Sequence, residues 1–170
     1  MLLPAVLGAP SKTDFVAVLG DTFENSPWVA GKAYAERPFS SLDELHRAMC
    51  EVVAAADPDA QLALIRAHPD LAGKAALAGE LTAASSSEQA GAGLGDLTAA
   101  EYARFHALND AYRARFGFPF VLAVKGHTKT SILAAFETRL THDPDAERGA
   151  ALAEIYRIAR FRLDALEGAT

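Results

Sequence analysis

The chain has 170 residues, of which 51% are hydrophobic and 22% are charged, and its formal net charge is −6. This composition excludes an intrinsically disordered protein, which combines low hydrophobicity with high net charge, and the length suits a single domain over residues 1–170. The acidic balance and the absence of a basic run argue against nucleic acid as a partner. The single cysteine, Cys50, excludes an internal disulfide framework and indicates a reducing compartment.

The first ten residues are apolar, but they lack a basic start and are interrupted by Pro4. We therefore predict an arm that packs on the domain and not a signal peptide. The longest other apolar run, residues 118–124, is far too short to span a bilayer. These features predict a soluble, cytoplasmic protein with no membrane partner.

Capping residues and prolines mark the helix boundaries along the chain. Ser11, Ser41 and Thr98 each precede a first turn that carries an acidic residue, a pattern typical of helix N-termini. Asp57 and Asp143 each precede a proline, which is tolerated at the first helical position because its missing N–H group has no partner there. These signals predict about nine helices, at residues 12–19, 27–35, 42–56, 58–67, 71–79, 86–92, 99–116, 128–140 and 144–167. The predicted fold class is all-α, a single-domain multi-helix bundle.

One segment, residues 118–124, differs from the helical pattern. Phe118 and Phe120 flank Pro119, and apolar residues that include β-branched valines follow, which makes a poor helix start. A lone strand has nothing to pair with, so we predict a buried extended segment.

His46 and Cys50 lie four residues apart, on one face of a predicted helix. That spacing can hold zinc, but a structural zinc site needs four ligands and no second pair accompanies these two. A packed cysteine beside a surface histidine is the favoured interpretation, and no metal site is predicted.

His68 stands before Pro69, between two predicted helices. Proline disfavours the helical conformation of the residue before it, so the imidazole is expected at a non-helical corner. A histidine side chain titrates near neutral pH, which suits it to proton transfer. On local grounds, a structural histidine that donates to a carbonyl group at a helix end is an equally good interpretation.

Three serines, Ser85, Ser86 and Ser87, precede Glu88 and Gln89, and we interpret them as the start of a helix. A helix N-terminus presents unbonded backbone N–H groups, here together with hydroxyls, and therefore suits an anionic ligand. A plain cap on a surface helix explains the same residues.

The last predicted helix carries an apolar stripe at helical spacing, which includes Ile155 and Leu163. Arg162 lies at the edge of this stripe, and an arginine that turns inward needs a carboxylate. That carboxylate can come from a ligand or, in a buried salt bridge, from the protein itself.

Several motifs together resemble one family more closely than any of them does alone. They are His68-Pro69-Asp70-Leu71, Ser85-x-x-Glu88-Gln89, the run Leu108–Val121 that contains Arg115-Phe116-Gly117-Phe118-Pro119-Phe120, and the ending Ile158-Ala159-Arg160-Phe161-Arg162-Leu163. The chain resembles the 2-oxo-4-hydroxy-4-carboxy-5-ureidoimidazoline (OHCU) decarboxylases from Phe15 to Leu166, with these motifs in the expected order. The resemblance implies an all-helical homodimer that converts the small, anionic OHCU to (S)-allantoin, the last step of urate oxidation, without a metal or an organic cofactor.

The resemblance also implies roles for individual residues. Three are expected to be catalytic: His68, with Glu88 as its partner carboxylate, and Arg162, which would hold the anionic substrate. The remaining expected substrate contacts are Pro69, Ser85, Ser86, Ser87, Gln89, Phe120, Val121, Leu122, Ala123 and Val124, those of Pro69 and of the last five largely through backbone groups.

The chemistry of the substrate explains why these residue types suffice. Its carboxylate is carried by a carbon next to a C=N bond, so that loss of CO₂ moves electrons into that bond and the substrate provides its own electron sink. We expect His68, oriented by Glu88, to act on the ring hydroxyl and to deliver a proton to one face of the adjacent carbon. We expect the peptide groups of residues 118–124 to be free to bind the ureido and ring amides, and Gln89 to pair with the ureido group.

The residues alone leave two other functions open. One is an enzyme of the same fold that acts on another ureido compound, as a hydrolase or a racemase would. The other is a helical ligand-binding module without catalysis, although the joint presence of His68, Glu88 and Arg162 argues against it.

Overall fold

The computed structural model describes residues 6–8, 11–73 and 79–169, and over this part of the chain the fold is all-α. Its α-helices are α1 (Lys12–Leu19), α2 (Trp28–Ala33), α3 (Leu42–Ala54), α4 (Pro58–Ala67), α5 (Ala83–Gly91), α6 (Ala99–Phe116), α7 (Lys129–Arg139) and α8 (Pro144–Gly168), and a 3₁₀ turn, Tyr34–Glu36, follows α2. The described residues contain no strand, which confirms the predicted fold class. None of their helices is long and apolar enough to cross a membrane.

Eight of the nine predicted helices are present in the described residues, at or near their predicted positions. The predicted caps are in place, because the hydroxyls of Ser11, Ser41 and Thr98 each accept from the backbone N–H group three residues further on. Thr98 and Glu101 complete a capping box at the start of α6. Gly117 ends that helix with a φ of 75°, a conformation that favours glycine.

Two predicted helix starts are wrong. Residues 71–73 do not begin a helix, since Leu71 and Ala72 form a turn in which Ala72 has a φ of 53°, and residues 74–78 of the same prediction lie outside the described residues. The helix predicted from Ser86 starts at Ala83 instead, because Thr82 caps it and the two alanines that follow Thr82 favour helix.

The chain divides into two compact units. The first comprises residues 1–67 and 155–170, and the second comprises residues 68–154, so α8 begins in the second unit and ends in the first. The single domain over residues 1–170 stays a prediction.

In the first unit, α2 packs against α1 and α3. Leu45, Met49 and Val53 recur every four residues along α3, and all three side chains are fully buried. Phe15 of α1 meets the ring of Tyr34 edge-on, with 5.5 Å between the ring centroids. Apolar residues at helical spacing therefore build this core.

In the second unit, an aromatic cluster anchors the non-helical segment. Phe120 stacks on Phe136 of α7 with 3.8 Å between the ring centroids, and Tyr112 of α6 meets both rings edge-on. Every residue from Phe118 to Val124 is buried and none is helical, as the sequence predicts.

Candidate active site

His68 lies immediately after the last residue of α4, at the predicted non-helical corner. It belongs to the second unit, and only 6% of its surface is exposed. A histidine that is buried this deeply is shielded from bulk water, which suits a residue that must transfer a proton to a bound substrate.

The turn that follows His68 is fixed by amide side chains from two helices. Gln89 of α5 accepts from the Ala72 N–H group at 3.0 Å through Oε1, and its Nε2 donates to the Asp70 carbonyl at 3.2 Å. Asn109 of α6 donates through Nδ2 to the Leu71 carbonyl at 2.9 Å. Side chains thus satisfy backbone groups of three successive residues, a task that a regular helix would otherwise perform.

An ion pair holds the same turn from its outer side. The Nε atom of Arg113 donates to both carboxylate oxygens of Asp70, at 2.9 and 3.2 Å, and Nη2 lies 2.9 Å from Oδ1. Because 49% of the Arg113 side chain is exposed, solvent screens this pair and its contribution to stability is modest.

These contacts assign Gln89 a task that sequence reasoning missed. The residue is 6% exposed, and both ends of its amide are bonded to the turn rather than offered to a ligand. Its expected pairing with the ureido group stays a prediction. The i, i+4 spacing of Ser85 and Gln89, which places them on one face of α5, is the sequence signal that indicates burial for both.

The serine segment lies three residues further into α5 than the sequence predicts, because the helix begins at Ala83. The Ser85 N–H group donates to Thr82 Oγ1 at 3.2 Å, and the Ser86 N–H group donates to the Thr82 carbonyl at 2.9 Å. These two N–H groups are therefore engaged by the cap and by the helix, and the expected anion site on unbonded N–H groups is wrong for them. Ser85 is buried and Glu88 half-buried, whereas Ser86 and Ser87 are exposed.

The backbone of the buried segment is also partly engaged. The Val121 carbonyl accepts from Arg139 Nη1 at 2.5 Å, and the Ala123 N–H group donates to Glu154 Oε2 at 3.1 Å. The Val124 carbonyl accepts from the His127 N–H group at 2.9 Å. The expectation that the peptide groups of this segment are free for substrate is wrong for these three groups, since side chains and a turn already bind them.

A buried charge cluster stands behind that segment, and sequence reasoning missed it. Glu147 is fully buried; Oε1 accepts from Tyr112 Oη and from Arg139 Nε, each at 2.5 Å, and Oε2 lies 3.1 Å from His142 Nδ1. Burial, followed by the hydrogen bond to Glu147, raises the pKa of Tyr112, which keeps the phenol protonated. The sequence signal is Asp143-Pro144, which starts α8 and places Glu147 in its first turn.

A cavity of about 360 Å³ lies beside the His68 turn. It is lined by Pro69, Asp70 and Gly73 and, from one face of α6, by His106, Asn109, Asp110 and Arg113. Asn109 Oδ1 is buried and has no hydrogen-bond partner among the described residues, although Nδ2 of the same amide is bonded to the turn. Of the predicted site residues, Pro69 alone lines this cavity.

Arg162 belongs to the first unit, whereas the other predicted catalytic residues, His68 and Glu88, belong to the second. Its Nη2 donates to Glu24 Oε2 at 2.7 Å and its Nη1 donates to the Asp21 carbonyl at 3.2 Å. Arg162 and Glu24 are both buried, so the inward-turned arginine finds its carboxylate in the protein. The expected contact of Arg162 with substrate stays a prediction.

The His46 and Cys50 pair is a packing contact. Cys50 Sγ lies 3.4 Å from His46 Nε2, and the same nitrogen is 2.8 Å from the Tyr156 carbonyl. Burial, with a smaller effect from Glu51, raises the pKa of the Cys50 thiol to about 11. Over the part of the chain that the structure describes, no group of three or more His, Cys, Asp or Glu side chains is arranged to hold a metal ion.

Comparison with known proteins decides the family. The family model described as OHCU decarboxylase matches residues 9–164, which is most of the chain. The chain belongs to the OHCU decarboxylase family. The family that the sequence motifs predict is therefore confirmed.

Individual proteins similar to this chain agree with the family match. An OHCU decarboxylase from Haloferax volcanii is 48% identical over 149 residues, which cover 88% of this chain and 86% of the relative. The uric acid degradation bifunctional protein PucL from Bacillus subtilis is 51% identical over 145 residues, but these cover only 28% of that longer protein. The solved structure of an (S)-allantoin synthase has a TM-score of 0.77 and 32% identity; the match covers 96% of this chain and about half, 53%, of the solved one.

Proposed function

We propose that this chain decarboxylates OHCU to (S)-allantoin, with His68 as the residue that transfers the proton. The family membership and the decarboxylase relatives of similar length support a carboxy-lyase. The observation in the structure that carries the proposal is His68 itself, buried at the end of α4 and followed by a turn that Gln89 and Asn109 hold in place.

The reaction needs one base and one proton donor, and a single imidazole provides both. As the bond to the carboxylate breaks, its electron pair forms a C=C bond with the neighbouring ring carbon, and the C=N electrons move to nitrogen, which takes up a proton from water. The ring hydroxyl then loses its proton and becomes a carbonyl, while the neighbouring carbon gains a proton. In the proposal His68 takes the first proton and delivers the second to one face, which gives a single enantiomer.

Glu88 is proposed to orient His68, since it lies half-buried on α5, the helix that also carries Gln89. Proposed substrate contacts in the second unit are Pro69 at the cavity, the serine hydroxyls of α5, and those backbone groups of residues 120–124 that the protein does not itself engage. The proposed mechanism uses neither a metal nor an organic cofactor, because the substrate holds its own electron sink. Full activity after exhaustive chelation is the expected result.

The experiment follows circular dichroism while urate oxidase and the hydrolase that acts after it generate OHCU, with and without this chain. Uncatalysed decay gives racemic allantoin and no signal, so rapid growth of the (S) signal is expected only with the chain. His68→Ala and His68→Asn should each slow that growth by about 10²- to 10⁴-fold, the usual contribution of a general acid or base. His127→Ala is the matched control, since this half-buried histidine pairs with Ser131 through its side chain at 3.0 Å and has no part in the proposed mechanism. Near-normal activity of both His68 variants, or racemic product with the unaltered chain, would contradict the proposal.

A homodimer is the proposed assembly, from the family resemblance. Light scattering on the purified chain should give twice the 18.0 kDa mass of one copy. A mass of one copy at micromolar concentration would reject it.

A further inference from the structure

We propose that Arg139 and Glu154 are positioning residues that hold Phe120–Val124 in the conformation that binds substrate. The inference rests on the proposed function, in which backbone groups of this segment contact the substrate. It assigns the positioning of this backbone to two charged side chains that need not touch the substrate themselves.

Two peptide groups of the segment are each bound by a charged side chain. Arg139 Nη1 donates to the Val121 carbonyl at 2.5 Å, and Glu154 Oε2 accepts from the Ala123 N–H group at 3.1 Å. Hydrogen bonds with a charged partner are stronger than those between neutral groups. The segment is neither helix nor strand, so these two bonds, together with the turn bond at the Val124 carbonyl, orient its peptide planes.

Arg139 is itself held rigidly, so it can transmit a fixed position to the segment. Its Nε donates to Glu147 Oε1 at 2.5 Å, and Nη2 lies 2.5 Å from the same oxygen. The guanidinium carbon lies 4.5 Å from the centre of the Phe120 ring. Arg139 therefore contacts both the ring of Phe120 and the carbonyl of the next residue.

Glu154 contacts the segment from α8 and is less buried than Arg139, which is 8% exposed. A change at Glu154 therefore perturbs the backbone contact with less damage to the core. Glutamine retains an acceptor oxygen for the Ala123 N–H group, whereas alanine removes it. The two substitutions separate the hydrogen bond from the charge.

The test measures the kinetics of (S)-allantoin formation in Glu154→Ala, Glu154→Gln and Arg139→Lys. We expect Glu154→Ala to raise KM by roughly three- to tenfold, with a smaller change in kcat. This is the effect of losing about the free energy of one hydrogen bond that holds the segment in its binding conformation. Glu154→Gln should restore most of the affinity, and Arg139→Lys should also raise KM because lysine cannot reproduce the planar contacts. Matched controls are Glu137→Ala and Arg104→Lys in an exposed pair, 2.5 Å apart, that should leave KM unchanged.

A purely structural role predicts a different pattern, in which the amount of folded protein and the melting temperature fall while KM stays constant. Hydrogen exchange provides a second measurement that needs no substrate: Glu154→Ala should speed exchange at the Ala123 amide, and Glu137→Ala should not. If Arg139→Lys does not fold, the Glu154 variants distinguish a positioning role from a purely structural one. An active unaltered chain with unchanged KM and unchanged exchange in Glu154→Ala overturns this inference alone, whereas an unaltered chain that does not accelerate (S)-allantoin formation overturns the proposed function and this inference with it.

Discussion

Replacing Gln89 with leucine should destabilise the protein strongly, although the two side chains are similar in size. The substitution leaves the Ala72 N–H group and the Asp70 carbonyl without their partners. A buried polar group that loses its hydrogen bond costs about 1–3 kcal/mol. Ala72 is 5% exposed and pays this cost in full, whereas Asp70 is half-buried and water can reach part of it, so the total is about 2–4 kcal/mol.

Urea unfolding followed by far-UV circular dichroism measures this loss, and the melting temperature should fall by about 5–15 °C for a chain of this length. Gln61→Leu is the matched control. Its Nε2 donates to the Val53 and Ala54 carbonyls, at 3.0 and 3.3 Å, in a more open position near the end of α3, so the same change should cost no more than about 1.5 kcal/mol.

Asn109→Leu provides an internal comparison on the same turn. It removes the bond to the Leu71 carbonyl, but it also removes Oδ1, which is already buried and lacks a partner in the part of the chain that the structure describes. The net cost should therefore be smaller than that of Gln89→Leu. Equal stability of Gln89→Leu and the unaltered protein would show that the turn does not depend on this amide, and the account of how His68 is held would then fail.

Three further outcomes follow from the charges and the thiol. Glu147→Ala should lower the free energy of unfolding in urea by about 3–5 kcal/mol, because it leaves the Arg139 charge buried and unpaired. A loss below about 1 kcal/mol would show that Arg139 does not depend on Glu147. With its pKa raised to about 11, Cys50 is only about 0.1% thiolate at pH 8, so alkylation of the native protein should be at least about a hundredfold slower than that of a free thiol. The hydrogen bond from the Thr98 N–H group, followed by that from Lys129, holds the pKa of Glu101 below its ordinary value of 4.5. Its contribution to stability is then present above that pH and lost as the pH falls through the lower folded-state pKa, so the melting-temperature difference between the unaltered protein and Glu101→Gln should be present at pH 7 and vanish near pH 2.

Much of the helical fold could be predicted because its signals are local. Ser11, Ser41 and Thr98 cap the helices that follow them, and Gly117 ends α6 in the left-handed conformation. Each of these signals needs only the neighbouring few residues. The predicted start of α5 lies three residues late because Thr82 and the serines are all competent caps, and the choice between them depends on which helix face must be buried.

The predicted site was less complete because its supporting contacts join residues far apart in sequence. His68 could be singled out from the proline beside it, but the amides that hold its turn come from positions 17 to 38 residues away from their partners. The same holds for Arg139 and Val121, which are 18 residues apart. Periodicity and capping patterns do not report such pairs. The sequence therefore does not show that both ends of the Gln89 amide bind the turn after His68.

The polar side chains that bond non-helical backbone in the second unit have a common explanation in the fold class. The second unit has non-helical backbone in two largely buried places, after His68 and along Phe120–Val124, and both belong to the proposed site. In a protein with a sheet, neighbouring strands would bond that backbone, but the described residues offer no strand. Side chains on the surrounding helices do so instead, through Gln89 and Asn109 in the first place and Arg139 and Glu154 in the second. Substitutions at these four positions should therefore alter substrate handling as well as stability, even though none of the four has to meet the reacting atoms.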